Sequence, residues 1–152
     1  MKTRWKANIY GFKFFTFHHR SAEKIIDKLY RDGWKIIHIQ RKNTLKQLFS
    51  RLIGHQSNVY IRRVKSPVPN DKYIIDPLQV ISALKRRNEQ IEIELKTLKN
   101  KDCFTVVYED DLKDKNNWNK TGERIFKFLG LDPVEVTSHI LITDPRTDAE
   151  RI

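Results

Sequence analysis

Apolar positions along this chain come in short runs divided by polar and glycine-marked breaks, and the spacing within each run predicts the element it forms. Residues 8–17, NIYGFKFFTF, are rich in β-branched and aromatic side chains and have no helical periodicity, which predicts a strand. Ala22, Ile25, Ile26 and Leu29 then occupy the i, i+3, i+4 and i+7 positions of one helical face, with Ser21 placed as N-cap and Gly33 as the left-handed stop. WKIIHIQ, residues 34–40, is a short apolar run suited to a buried strand. Thr44 is placed to cap a second helix, with Leu45, Leu48, Phe49, Leu52 and Ile53 on one face and Gly54 at its end. Strand, helix, strand, helix with short links is the pattern of a parallel α/β sheet with right-handed crossovers.

The middle of the chain is less regular. NVYIRRV, residues 58–64, reads as a strand, and SPVPND, residues 66–71, as a proline-containing turn. Asp76 followed by Pro77 is an N-cap and first-turn pair, opening a helix to about Lys99 that would be roughly 33 Å long. Leu78, Ile81, Leu84, Ile91, Leu95 and Leu98 give it a broken apolar stripe. CFTVVYE, residues 103–109, predicts a buried strand. A helix over 117–129 follows, with Asn117 as cap, Trp118, Ile125, Phe126 and Leu129 inward, and Gly130 as stop. The remaining apolar patch is HILI, residues 139–142.

Composition narrows the class. With 152 residues, 39% hydrophobic and 11% aromatic, the chain can bury the core of a single domain and is not a disordered polymer, despite 32% charged residues. No stretch approaches the ~18 consecutive apolar residues of a membrane span. The N-terminal MKTRWKANIYGFKFFTFHH carries charges through its apolar stretch and has no small-residue cleavage site, which argues against secretion by this segment. The single Cys103 can form neither an internal disulfide nor a cysteine zinc cluster, so a reducing, cytoplasmic setting is expected. The net charge of +11 is concentrated: residues 1–65 hold 16 Lys/Arg against 3 Asp/Glu, and residues 66–152 hold 14 against 16. Such a block attracts polyanions, whether nucleic acid, an acidic membrane surface or a phosphorylated nucleotide.

Candidate chemistry concentrates in HIQRKNTLKQLFSRL, residues 38–52. Arg41 falls at the carboxyl end of a predicted parallel strand, the edge where open α/β sheets bind ligands, and the next helix turns its N-terminus to the same edge. Ser50 lies six residues beyond Thr44 on the polar side of that helix. A guanidinium fork and a hydroxyl donor together make a phosphate clamp. The plainer alternative is that Arg41 and Lys42 are solvated loop charges and Ser50 an ordinary surface residue.

Residues 41–50, RKNTLKQLFS, resemble the R-x-N-x-L-x-Q-x-x-S signature of bacterial carbohydrate sulfotransferases of the nodulation-factor type. VVYEDDL, residues 106–112, resembles that family's V-x-YEDL strand end, and RIFKFLGL, residues 124–131, its I-x-x-FLGL helix end. GFK at 11–13 and HILITDPR at 139–146 are similar to its second strand and its C-terminal approach to the cleft. The resemblance covers most of residues 8–150. It implies an α/β, P-loop-hydrolase-like sulfotransferase fold, a parallel sheet flanked by helices, in a single domain over 1–152. The implied co-substrate is 3′-phosphoadenosine-5′-phosphosulfate (PAPS), with no metal, and the implied acceptor is hydroxylated and of carbohydrate type. Arg41 and Ser50 would bind the 3′-phosphate, and His18 or His19, just after the GFKFFTF run, would be the base. The alternative reading of the pair is two loop histidines beside a helix start, and Glu109 reads as a structural acceptor.

The family's 5′-phosphosulfate unit, a strand, a Gly/Ser-rich loop and a helix ahead of the GFK element, has no counterpart here. The 5 glycines form no phosphate loop, so the expectation is an N-terminally incomplete, interior and C-terminal portion of the fold, with activity of the chain by itself in doubt. Arg20 and Ser21 at a helix start are a poor substitute. A basic nucleic-acid-binding or partner-binding α/β domain without catalysis is the competing class; nucleic acid is the weaker of its two forms, because no helix-turn-helix, zinc or RNA-recognition signature occurs.

Overall fold

The protein is described here by a computed structural model covering residues 9–16, 19–60, 62–63, 72–138 and 140–141, with only the backbone of 62–63 and 140–141. Its elements in chain order are α1 (Ala22–Arg31), β1 (Ile36–Gln40), α2 (Thr44–Ser57), β2 (Arg62–Arg63), α3 (Pro77–Leu98), β3 (Cys103–Val107), α4 (Trp118–Leu129) and β4 (Ile140–Leu141). β1 and β3 pair in parallel, from Ile36 opposite Cys103 to Gln40 opposite Val107. β2 and β4 form a separate antiparallel ladder, Arg62 opposite Leu141 and Arg63 opposite Ile140. The α/β class with a parallel pair and flanking helices is therefore present.

Most boundaries follow local chemistry. Asp76 accepts the Leu78 N–H at 2.9 Å, and Pro77 starts α3 where its missing N–H costs nothing. Gly33 and Gly130 take φ of +85° and +75°, the left-handed conformation that ends α1 and α4.

α2 departs from expectation at both ends. Its cap is Asn43, whose side chain accepts the Lys46 N–H at 2.8 Å, and it runs past Gly54 to Asn58, which takes the left-handed φ of 54°. Asparagine tolerates that conformation, so a glycine was not required there. Gly54 serves packing instead: a Cβ there would sit 3.1 Å from the Tyr60 ring.

Three further expectations are corrected. Over the described residues 9–16 there is no strand, because no neighbour offers that segment a ladder. Its contacts still advance with β1, Phe12 packing edge-on to Trp34 at 5.3 Å and Thr16 bonding to Glu94 opposite His38, so it runs in the same direction. The strand at 103–109 stops at Val107, and Tyr108–Leu112 coils into one π-helical turn. In α4 Asn117 does not cap the helix; its side-chain amide donates to the Asp110 carbonyl at 2.7 Å. Of the strand expected at 58–64, Arg62–Arg63 form β2 and residues 58–60 are not strand, while 61 and 64, the turn at 66–71 and most of the tail beyond 138 lie outside the described residues.

Among the described residues Val106, in β3, is 1% exposed, and Ala22, Ile26, Leu48, Ile53, Tyr73, Val80 and Leu98 are the other buried hydrophobic side chains. α3 packs against α1 and α2. Its inward stripe is Val80, Leu84, Arg87, Ile91, Glu94 and Leu98, whereas Leu78, Ile81 and Leu95 of the expected stripe are exposed. The true stripe has alternating steps of four and three residues, and two of its positions carry opposite charges.

Candidate functional site

The carboxyl edge of the parallel pair is where residues 41–43 and 107–110 meet. Arg41 follows the last residue of β1, and its guanidinium carbon stands 3.9 Å from the ring centroid of Tyr108, which follows the last residue of β3. The planar stack holds the fork at this edge through cation–π attraction. Glu109 then closes the junction: its carboxylate accepts the Lys42 N–H at 2.9 Å and the Asn43 N–H at 3.3 Å. Lys42 Nζ donates to Asp110 at 2.6 Å. A segment 67 positions away thus caps the turn that leads into α2.

Titration follows from this geometry. Partial burial alone would raise the Glu109 carboxyl, but the N–H groups of Lys42, Glu109 itself and Asn43, with the Arg41 charge, hold it below its ordinary value. The bond to Asp110 and its charge raise Lys42. Behind them Asp111 is lowered, first by the Val107 N–H at 2.7 Å and then by Arg124 at 2.8 Å and the Thr121 hydroxyl. The YEDDL turn is therefore anchored to β3 and α4 at once, and Trp118 Nε1 adds a bond to the Leu112 carbonyl at 2.7 Å.

The expected site residues fall as follows. Arg41 is half-exposed at the edge. Ser50 is exposed in the second turn of α2, six residues or about 9 Å of helical rise beyond Thr44. The Lys42 and Asn43 amides just ahead of α2 already hold Glu109. A shallow concavity of about 800 Å³ opens on the other side of the junction, lined by Glu109, Asp110, Lys113, Asp114, Lys115, Asn116 and Asn117. Its three carboxylates make it a poor seat for phosphate.

His18 lies outside the described residues. His19 is exposed and stacks on Phe14, with centroids 5.3 Å apart. Arg20 and Ser21 are exposed at the start of α1, and the Ser21 hydroxyl makes no capping bond. Glu109 is the structural acceptor that its sequence position suggested.

Sequence reasoning missed a second cluster, beneath the sheet. Glu94, its side chain 11% exposed, accepts the Thr16 hydroxyl at 2.5 Å and Arg87 Nη1 at 3.1 Å, and His38 Nε2 lies 3.7 Å from its other oxygen. Burial would raise its carboxyl, but His38, Thr16 and Arg87 outweigh that and lower it to about 2. Periodicity did not signal it, because the expected stripe ran through Ile81 and Leu95, which are exposed, and not through Arg87 and Glu94.

No group of three or more His, Cys, Asp or Glu able to hold a metal occurs among the described residues, and no helix among them is long and apolar enough to cross a membrane. No protein-family model, curated protein or solved structure matches the chain.

Proposed function

We propose that this chain is a sulfotransferase-family domain that binds the adenosine 3′-phosphate end of PAPS at the carboxyl edge of β1, for sulfuryl transfer to a hydroxyl of a carbohydrate acceptor. Arg41 and Ser50 hold the 3′-phosphate, and His18 or His19 accepts the acceptor's proton as its oxygen bonds to sulfur. The bond from sulfur to the 5′-phosphate oxygen then breaks, releasing adenosine 3′,5′-bisphosphate. The 3′-phosphate clamp binds ground and transition states alike and so does not accelerate that step. Acceleration needs donors aimed at the 5′-phosphate, and loss of one such donor costs about 100- to 1000-fold.

The observation that supports this reading is the convergence of motif segments far apart in sequence: Gln40 pairs with Val107, Arg41 stacks on Tyr108, and Glu109 caps the turn at Lys42 and Asn43. Calorimetry with adenosine 3′,5′-bisphosphate tests it. Arg41→Ala is expected to weaken binding by roughly 1.5–3 kcal/mol and Ser50→Ala by about 1 kcal/mol. Equal affinity of wild type and Arg41→Ala would end the assignment.

A partner-binding role is favoured by one observation of its own. Ile37 and Ile39, on the outward face of β1, are 37% and 57% exposed, although parallel sheets are ordinarily covered on both faces. A mass that rises with protein concentration, with no response to the nucleotide, would favour that role.

A further inference from the structure

His38 sits mid-strand in β1, and its two ring nitrogens face different neighbours. Nδ1 is 3.3 Å from the side-chain amide nitrogen of Gln40, and Nε2 is buried, without a hydrogen bond, 3.7 Å from Glu94. The charged groups facing this ring come from α3: Glu94, and Arg87, whose Nη2 donates at 3.5 Å to the same Glu94 oxygen that faces His38. The segment before α1 contributes the Thr16 hydroxyl to the same carboxylate, and β3 places the uncharged Thr105 opposite His38 in register.

This arrangement dictates the protonation chemistry. An amide N–H₂ can only donate, so Nδ1 accepts, and the neutral ring carries its proton on Nε2, toward Glu94. A second proton must go on Nδ1, where it would meet the amide donor head-on. Rotating the Gln40 amide by half a turn relieves the clash, because Oε1 then accepts from Nδ1–H. The new positive charge on the ring also draws Nε2–H toward Glu94, within reach of the bond it lacks. Gln40 is the last residue of β1 and shares the inner face of the strand with His38.

We propose that His38 and Gln40 form a proton-operated latch at the carboxyl end of β1, in which proton uptake by His38 turns the Gln40 amide over. The latch does not rest on the function proposed above. Histidine is the side chain whose charge ordinarily changes between pH 5 and 8, which sets the range to scan. Glu94 has Arg87 as its cation already, which makes the ring's proton the second positive charge on one carboxylate.

The test is an NMR titration of the full chain from pH 8 to pH 5, following the His38 ring nitrogens and the Gln40 side-chain amide. The expected result is that both sets of signals move with one midpoint. Gln40→Glu, which places a permanent acceptor beside Nδ1, should raise that midpoint by about one pH unit, a tenfold gain in proton affinity. A His38 titration that leaves the Gln40 signals unmoved would overturn the latch, as would a ring that stays neutral throughout or an unchanged midpoint in Gln40→Glu. Should Gln40→Glu fail to fold, the wild-type titration alone decides. Affinity for adenosine 3′,5′-bisphosphate, compared between wild type and Gln40→Glu at each pH, separates the two ideas. Coupled His38 and Gln40 signals with no nucleotide binding at any pH would sink the phosphate reading and leave the latch standing. Nucleotide binding with Gln40 unmoved would do the reverse.

Discussion

Glu109 and Glu94 each tie together segments far apart in the sequence, one at the rim of the sheet and the other beneath it. Glu109 accepts backbone N–H groups of Lys42 and Asn43, next to an exposed Lys42–Asp110 pair. Glu94 accepts from side chains, Thr16 and Arg87, with most of its surface withdrawn from water. At the rim, solvent can replace any lost partner, so the contacts set the geometry of a turn more than they stabilise the fold. Under the sheet nothing can replace a lost partner, and the remaining charge must stay in a low-dielectric site. The same side-chain type, holding its proton weakly in both places, therefore has very different energetic weight.

The largest expected effect tests that contrast directly. Glu94→Ala leaves the Arg87 charge buried without its anion and should cost about 3–5 kcal/mol in urea melts. Replacing both Glu94 and Arg87 by Leu should recover most of that loss, because the uncompensated charge goes with its partner. A Glu94→Ala loss no larger than that of Glu109→Ala would break the comparison.

Acid should separate the two sites next. The Glu94 carboxyl is lowered from 4.5 to about 2, so its stabilisation is complete above 4.5 and is lost as pH falls from 4.5 through 2. A shift of that size corresponds to roughly 3 kcal/mol. Unfolding free energies measured between pH 5 and pH 2 should therefore fall less steeply in Glu94→Gln than in wild type. Parallel slopes would show that Glu94 is not the dominant acid-sensitive group.

The smallest effects belong to the rim. Glu109→Ala should cost about 1 kcal/mol, the usual loss for a side chain that caps a helix start, and part of that should be regained in Glu109→Gln, which keeps an acceptor. Lys42→Ala should leave the urea midpoint where it was, since both side chains of its pair with Asp110 are more than half exposed to solvent. A midpoint shift for Lys42→Ala as large as that for Glu109→Ala would mean the rim is better shielded from water than its exposure indicates.

Much of this was written in local sequence. The Asp76-Pro77 start of α3, the glycine stops at Gly33 and Gly130, and the β1–α2 link carrying Arg41 to the sheet edge all follow from side-chain and backbone preferences acting within a few residues. The role of Glu109 as an acceptor was legible too, although not which amides it would serve. Local chemistry also explains two near misses: Asn43 and Asn58 bound α2 in place of Thr44 and Gly54, because asparagine both caps and tolerates the left-handed region.

What only the tertiary structure decided is pairing. Residues 9–16 have the composition of a strand, but a strand exists only where a neighbour supplies its hydrogen bonds, and among the described residues none does. Arg87 and Glu94 read as surface charges until α3 is rotated so that Val80, Leu84, Ile91 and Leu98 face inward and carry them under the sheet. The stack of Arg41 on Tyr108 and the placing of His38 between Gln40 and Glu94 likewise depend on β1 lying beside β3 and above α3. Periodicity and caps are properties of consecutive residues and can be read along the chain. Register, helix rotation and the partner of a buried charge come from distant segments meeting, and the free energy that selects them exists only once the chain has folded.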